Sequence, residues 1–235
     1  GRTSHESGDG VSTPSFQAIS CSATISHPAL LMQTVFGVSA ERVRVIANDG
    51  SPAGAKHWVV WNSPYITPNA PESGRVHPIQ EATRMLADLT MAGVRTIAFC
   101  RYRRTCELLM KSVTAEFDRR YQKINAKRRM ANGGEGDEEE RREPPNVMAY
   151  RGGYSVSDRR LIEHELFTGR LAGVVATNAL ELGIDIGALD AVLVVGFPMT
   201  VASLRQQAGR AGTHGPGVDG IQLAMDSGNG MSIVT

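Results

Sequence analysis

The sequence predicts an α/β fold in which helices flank a parallel sheet. Three short apolar runs rich in β-branched residues have the composition of strands that are buried on both faces of such a sheet. These runs are Thr96–Cys100, Leu171–Thr177 and Ala191–Phe197. Other apolar residues recur at helical spacing, which predicts amphipathic helices that cover the sheet. One such series is formed by Ile79, Ala82, Leu86 and Leu89.

Composition sets broad limits on the class of protein. The chain has 235 residues, 41% of them hydrophobic, which is enough for a core in one large or two modest domains. No stretch of about 18 uninterrupted apolar residues is present, so we expect a soluble globular protein with no membrane partner. The formal net charge of +1 does not identify a nucleic-acid-binding protein, although an even balance can hide a local basic surface. The absence of an initiating Met indicates a fragment or a processed chain.

The cysteines and histidines give no metal-binding pattern. Cys21, Cys100 and Cys106 are odd in number, lack the spacing of a zinc site and lie in apolar or helical settings. We therefore expect three buried free thiols and a reducing compartment. The six histidines are scattered, so no metal site is predicted.

The first part of the chain is predicted to hold a few short elements and a linker. Residues 1–15 are polar and rich in Gly and Ser, which predicts disorder. A short helix is predicted over Pro28–Phe36, ending at Gly37. Strands are predicted over Phe16–Ser22, Val43–Ala47 and His57–Trp61. The prolines between Asn62 and Arg75 indicate a linker, so a second domain is expected from residue 71.

The second domain has clearer helix signals. Helices are predicted over His77–Ala92, from Cys106 to Ile124, and after Ser155, where Ser155-x-x-Asp158 has the form of a capping box. Val147–Tyr150 is predicted to be a short strand. Residues 131–145, with the charged run NGGEGDEEERREPP, are predicted to be a disordered surface insert. Thr200 is expected to cap a helix that runs through Leu204 to Arg210.

Polar residues gather where the predicted strands end, and open α/β sheets bind their ligands at that edge. Arg101 and Arg104 follow the strand Thr96–Cys100, and Arg151 follows the strand Val147–Tyr150. A basic cluster at such a position either binds phosphates of a nucleic acid or forms a solvated positive surface. Arg151 is equally compatible with a structural turn.

Two segments resemble motifs of superfamily-two helicases. ATNALELGIDIG, residues 176–187, is similar to motif V, and QQAGRAG, residues 206–212, is similar to motif VI; one strand separates them, as in that family. Ser22-Ala23-Thr24 resembles motif III, and TIAFCRYRRTCELL resembles motif IV. The phrases NDGSPAGAKHWVVWNSP and MAYRGGYSVSDRR narrow the resemblance to the Hrq-type, RecQ-related DNA helicases. The resemblance covers roughly residues 16 to 212.

This resemblance implies a domain organisation and a set of site residues. Residues 16–70 would be the end of a first RecA-like lobe with a linker, and residues 71–212 the second lobe. Gln206 and Arg210 are implied to face the γ-phosphate of ATP and to act in catalysis. The implied nucleotide-binding residues are Gly183, Asp185, Gln206, Gly209 and Arg210, with Glu181 linking nucleotide to DNA. The implied nucleic-acid-binding residues are Ser22, Thr24, Arg101, Arg104, Arg151, Thr177 and Asn178.

For the parent protein, the resemblance implies ATP-driven translocation along DNA and unwinding with three-prime to five-prime polarity. ATP and Mg²⁺ are the implied cofactors, single-stranded DNA is the implied partner, and DNA repair in the nucleus is the implied role. Two alternatives stay open at this stage. One is a non-catalytic binding or interaction module derived from a helicase, and the other is a lobe of an RNA helicase.

The sequence departs from the family pattern in two places. It has neither the phosphate loop G-x-x-x-x-G-K-[ST] nor an Asp-Glu motif on a strand, so we expect no ATP hydrolysis by this chain alone. Thr213 stands where motif VI has a second arginine, which puts catalysis in doubt even with a first lobe present. Residues 213–235 are interpreted as an atypical or truncated tail, with Ile221–Met225 as a weak strand candidate.

Overall fold

One parallel sheet organises the molecule. The computed structural model describes residues 17–22, 24–48, 50, 54–131, 143–181, 186–187, 189–212 and 220–225. Within these ranges, six strands form a sheet in the order β1-β6-β5-β2-β4-β3. The strands are β1 (Lys56–Trp61), β2 (Thr96–Cys100), β3 (Val147–Tyr150), β4 (Gly173–Ala176), β5 (Ala191–Val195) and β6 (Gly220–Met225). Every neighbouring pair is parallel, as the sequence predicts.

The described helices are α1 (Pro28–Phe36), α2 (Pro78–Met91), α3 (Arg103–Ala131), α4 (Val156–Phe167) and α5 (Val201–Ala208). Four of them cover the two faces of the sheet, whereas α1 has no buried residue. Helices α2 and α3 pack on one face, where Leu86 and Leu109 belong to the same buried cluster as Leu193 of β5. Helices α4 and α5 pack on the other face, where Leu166 and Leu204 share a cluster with the adjacent β5 residues. Strands β2, β4 and β5 are buried along their whole length, which explains why their sequences are continuously apolar.

Local signals in the sequence begin three of these helices. The ring of His77 accepts a hydrogen bond from the N–H of Ile79 at 3.2 Å, with a proline as the first residue of α2. The hydroxyl of Ser155 accepts from the N–H of Asp158 at 3.1 Å and lies 2.6 Å from its carboxylate, which confirms the predicted cap of α4. Thr200 caps α5 by accepting from the N–H of Ser203 at 3.0 Å, also as predicted.

β1 precedes the predicted boundary at residue 70, yet it belongs to the same sheet as the strands that follow that boundary. It pairs with β6, with Lys56 opposite Gly220 and Trp61 opposite Met225. The proline-containing segment that suggested a linker instead folds back on itself. Arg75 donates to the carbonyl of Ser63 and stacks over the ring of Tyr65 at 4.3 Å.

Two predicted strands before β1 are absent from the described residues. Residues 17–22 and Val43–Ala47 are irregular, and most of their side chains are exposed. A strand needs a neighbour for its backbone hydrogen bonds, and none of the described residues pairs with these segments. β6 contains the weakly predicted Ile221–Met225 and is stabilised by two strand partners.

The cysteines divide into two classes. Cys100 and Cys106 are buried free thiols, as predicted, but Cys21 is exposed because its segment lies outside the sheet. Burial raises the pKa of Cys106 to about 11 and also raises the pKa of Cys100. Both thiols therefore pack in the core rather than act as nucleophiles, and that of Cys106 donates to the carbonyl of Val175 at 3.2 Å.

Two glycines let the chain cross itself after α5. Gly212 has φ of 72°, and its N–H donates to the carbonyl of Leu189 at 3.1 Å. A Cβ added at Gly220, the first residue of β6, would lie 2.8 Å from the backbone nitrogen of Gly212. Gly212 therefore allows the close approach of β6.

None of the described helices is long and apolar enough to cross a membrane. Among the residues with described positions, no group of three or more His, Cys, Asp or Glu side chains is arranged to hold a metal ion.

Candidate nucleotide and nucleic-acid site

The carboxyl ends of three neighbouring strands carry most of the residues implied in nucleic-acid binding. Arg101 follows β2, Thr177 and Asn178 follow β4, and Arg151 follows β3. Because the order of these strands is β2-β4-β3, the residues lie side by side along one edge of the sheet. We call this set the strand-end row. It has the placement that open α/β sheets use for ligands.

Members of the strand-end row differ in accessibility. Arg101 and Asn178 are exposed, and Arg104 is exposed on the first turn of α3. Arg151 is half-buried, pairs with Glu107 at 2.9 Å and lies over the ring of Tyr154 at 5.1 Å. Thr177 is buried. Its backbone N–H donates to a carbonyl in β3 at 3.2 Å. The side chains of Arg101, Arg104 and Asn178 are exposed and therefore accessible to a ligand.

Helix α5 and the two residues that follow it present two different faces. Gln206, Gly209 and Arg210 line a cleft of about 1110 Å³, together with Gly187. The opposite wall of the cleft is formed by residues near the start of the chain, including Thr24 and Leu30. Thr24 therefore lies in the wall of this cleft, and exposed Ser22 accepts a hydrogen bond from its N–H at 3.4 Å.

The inner face of α5 is joined to Glu181. One carboxylate oxygen of Glu181 accepts hydrogen bonds from the hydroxyl of Ser203 at 2.7 Å and from the amide of Gln207 at 3.1 Å. The backbone carbonyl of Glu181 accepts from the guanidinium of Arg210 at 2.7 Å. Glu181 follows the single helical turn Asn178–Leu180, so it connects the strand-end row to the helix that lines the cleft.

A comparison of the sequence with protein families identifies this arrangement. The family model of the helicase conserved C-terminal domain matches residues 79–215, more than half of the chain. The chain belongs to this family. The matched range includes the strand-end row, Glu181 and helix α5. The candidate site therefore lies within the helicase C-terminal domain.

Individual relatives narrow the family to the Hrq type, as the sequence predicts. ATP-dependent helicase HRQ1 of Saccharomyces cerevisiae is 47% identical over 211 residues, covering 90% of this chain and 18% of that protein. ATP-dependent helicase hrq1 of Schizosaccharomyces pombe is 44% identical over 197 residues, covering 84% of this chain and 17% of that protein. The chain thus spans less than a fifth of the length of these relatives.

A solved structure agrees with this assignment. The DUF1998 helicase MrfA, bound to DNA, superposes with a TM-score of 0.70 and 31% sequence identity. The match covers 88% of this chain and 24% of that protein. The chain is therefore a C-terminal, RecA-like lobe of a superfamily-two helicase of the Hrq type.

Sequence reasoning assigned no role to two residues of the helicase lobe, Ser203 and Gln207. They are four positions apart, as are Gln206 and Arg210. Residues at this spacing lie on the same side of a helix, so each pair lies on one side of α5 or of its end. The resemblance identified only the pair that faces the cleft. The spacing Ser203-x-x-x-Gln207, together with an acidic residue in motif V, is the pattern that could have predicted the second pair. Gly183, Asp185 and Thr213 lie outside the described residues, so their predicted roles stay predictions.

Removing the Glu181 side chain is expected to destabilise this helicase lobe. In a Glu181→Ala variant the hydroxyl of Ser203 loses its acceptor and the buried amide of Gln207 keeps only its contact with that hydroxyl, which is expected to lower the free energy of unfolding by about 1–3 kcal/mol. Denaturant titration measures this difference. The matched control is Glu165→Ala, which removes an exposed pair with Arg170 and should have a much smaller effect. Equal losses in both variants would contradict a structural role for the Glu181 contacts.

Proposed function

We propose that this lobe is part of an ATP-dependent DNA helicase, in which it couples ATP hydrolysis to translocation along DNA and to unwinding. The observation that carries the proposal is the position of Glu181. Its side chain binds α5, its carbonyl binds Arg210 just after that helix, and its own segment continues from the strand-end row. A change in the position of α5 is therefore transmitted by direct hydrogen bonds to residues that contact DNA.

The cleft suits a nucleotide on its α5 side. Its volume of about 1110 Å³ is slightly above the usual range for small-molecule sites, about 300–1,000 Å³. Arg210 and Gln206 would supply donors to phosphate oxygens, with Arg210 oriented by its bond to Glu181. The helicase first lobe would supply the phosphate loop and the ligands of Mg²⁺, since this chain contains neither motif.

The strand-end row suits a nucleic-acid backbone. Exposed guanidinium groups of Arg101 and Arg104 and the amide of Asn178 are typical donors to phosphate oxygens. We propose single-stranded DNA as the ligand, and DNA repair in the nucleus as the setting. The MrfA complex with DNA supports DNA over RNA as the ligand.

The decisive test measures ATP hydrolysis by the lobe joined to a complete first helicase lobe, with Thr213→Arg restoring the family pattern. We expect hydrolysis that depends on Mg²⁺ and increases when single-stranded DNA is added, and none by the 235-residue chain alone. Titration with an RNA oligomer of the same length separates the two kinds of helicase. A joined protein that binds DNA but never hydrolyses ATP would favour a non-catalytic module.

Replacing Arg101 and Arg104 with alanine is expected to weaken binding of the chain to single-stranded DNA. Each phosphate contact that is lost should reduce the slope of log K against log salt by about 0.7. Fluorescence anisotropy at several salt concentrations measures both quantities. The matched control, Lys127→Ala with Arg129→Ala, removes the same charge from the far end of α3. Unchanged affinity and slope in the Arg101 and Arg104 variant would remove the strand-end row from the DNA surface.

A further inference from the structure

An exposed apolar group lies next to the strand-end row. Tyr102 exposes 58% of its surface and Met199 exposes 74%. Tyr102 follows the end of β2, and Met199 lies in the loop between β5 and α5. Strands β2 and β5 are neighbours, so both residues lie on the same edge of the sheet as the row. Single exposed apolar side chains are common, but a cluster beside a ligand site marks a contact surface.

Arg101 holds the two side chains together. Its guanidinium lies over the ring of Tyr102, 5.1 Å from the centroid, and also donates to the sulfur of Met199. The carbonyl of Tyr102 accepts from the N–H of Cys106 at 3.0 Å, which fixes the backbone at the start of α3. Tyr102, Met199 and Arg101 therefore form one cluster, with an aromatic face, a polarisable thioether and a cation.

We infer that this cluster is a stacking site for a nucleobase of the strand whose phosphates contact the strand-end row. The inference rests on the proposed function, because it requires single-stranded nucleic acid on this edge. An aromatic ring with an adjacent guanidinium binds the flat face of any base, so the contact tolerates every sequence. Unstacked bases of a single strand are available to such a site, whereas the paired bases of a duplex are not.

The position of the cluster also distinguishes it from the phosphate contacts. Met199 immediately precedes Thr200, the cap of α5, whereas Thr177 and Asn178 lie on the other side of β2. Arg101 belongs both to this cluster and to the strand-end row. A base on Tyr102 and Met199 would thus lie between the phosphate contacts after β4 and the helix that lines the nucleotide cleft.

The test compares binding of the full chain to a thymidine homo-oligomer and to an abasic oligomer of the same length, by fluorescence anisotropy. We expect Tyr102→Leu to weaken binding of the thymidine oligomer by about 5- to 150-fold and to leave binding of the abasic oligomer unchanged. Tyr102→Phe should retain binding because it keeps the aromatic face. The matched control is Trp58→Leu, which removes an exposed aromatic residue from β1. Met199→Ser provides a second variant of the cluster, with a smaller loss expected for the thymidine oligomer only.

The outcomes separate this inference from the function on which it rests. If wild type binds both oligomers equally and Tyr102→Leu changes neither, the base site is wrong while the phosphate surface stands. If Tyr102→Leu weakens both oligomers equally, the residue supports the surface without touching a base, and the inference is overturned. If wild type binds neither oligomer, both the inference and the proposed DNA surface fail.

Discussion

Changing Thr213 to arginine is expected to raise the ATP hydrolysis rate of the lobe joined to a complete first lobe by about 10³–10⁵-fold, the typical effect of an arginine finger in phosphoryl transfer. The family resemblance places an arginine at this position of motif VI, and a threonine hydroxyl cannot supply its charge to the transition state. Single-turnover and steady-state hydrolysis rates, each with single-stranded DNA, measure the change.

The control for this experiment is Thr213→Lys. Lysine restores the charge but not the planar fork of donors, so we expect it to recover only part of the rate. A joined protein with Thr213 that is already as active as the arginine variant would contradict the expectation. In that case another cation would supply the charge at the phosphate, and the threonine would be tolerated.

Changing Arg210 to alanine in the active, Thr213→Arg background is expected to lower the hydrolysis rate by about 10²–10³-fold, because one preorganised donor to the phosphate is lost. Arg210 lines the cleft, and its bond to the carbonyl of Glu181 holds the guanidinium in place. Arg210→Lys should retain only part of the activity, since lysine has no bidentate geometry.

Two measurements make the Arg210 result interpretable. A loss in kcat with little change in KM would indicate a contact made in the transition state, whereas a rise in KM alone would indicate simple binding of the nucleotide. Arg160→Ala, which removes an exposed arginine from α4, is the matched control for charge. A melting temperature of Arg210→Ala far below that of the control would show that the loss is structural.

The sequence predicts the individual strands of the sheet well and their arrangement poorly. β2 and β5 are recognisable because burial on both faces demands continuous apolar runs, which are visible locally. β1 was predicted as a strand but its place in the sheet was not, because its described strand partner, β6, lies at the other end of the chain. The strand predicted around Cys21 is absent for a related reason. It has the composition of a strand, but the described residues offer it no neighbour.

The candidate site shows a similar division. The resemblance located Gln206 and Arg210, and the structure places both at the cleft. It did not locate Ser203 and Gln207, because the face that a short helix turns inward depends on tertiary packing. The strand-end row could be anticipated as a group only once the order of the strands was known. Strand order is a property of the whole sheet, and no local pattern encodes it.

The insertion of β6 between β1 and β5 has a consequence for the synthesis of the protein. During translation β1 emerges from the ribosome early, but β6, its partner in the sheet, is made only after α5 and the crossing at Gly212. Until then both β1 and the flank of β5 present unpaired backbone groups, the state in which strands associate with other chains. Nascent chains that stall before residue 220 should therefore be the form of this protein that is most dependent on chaperones.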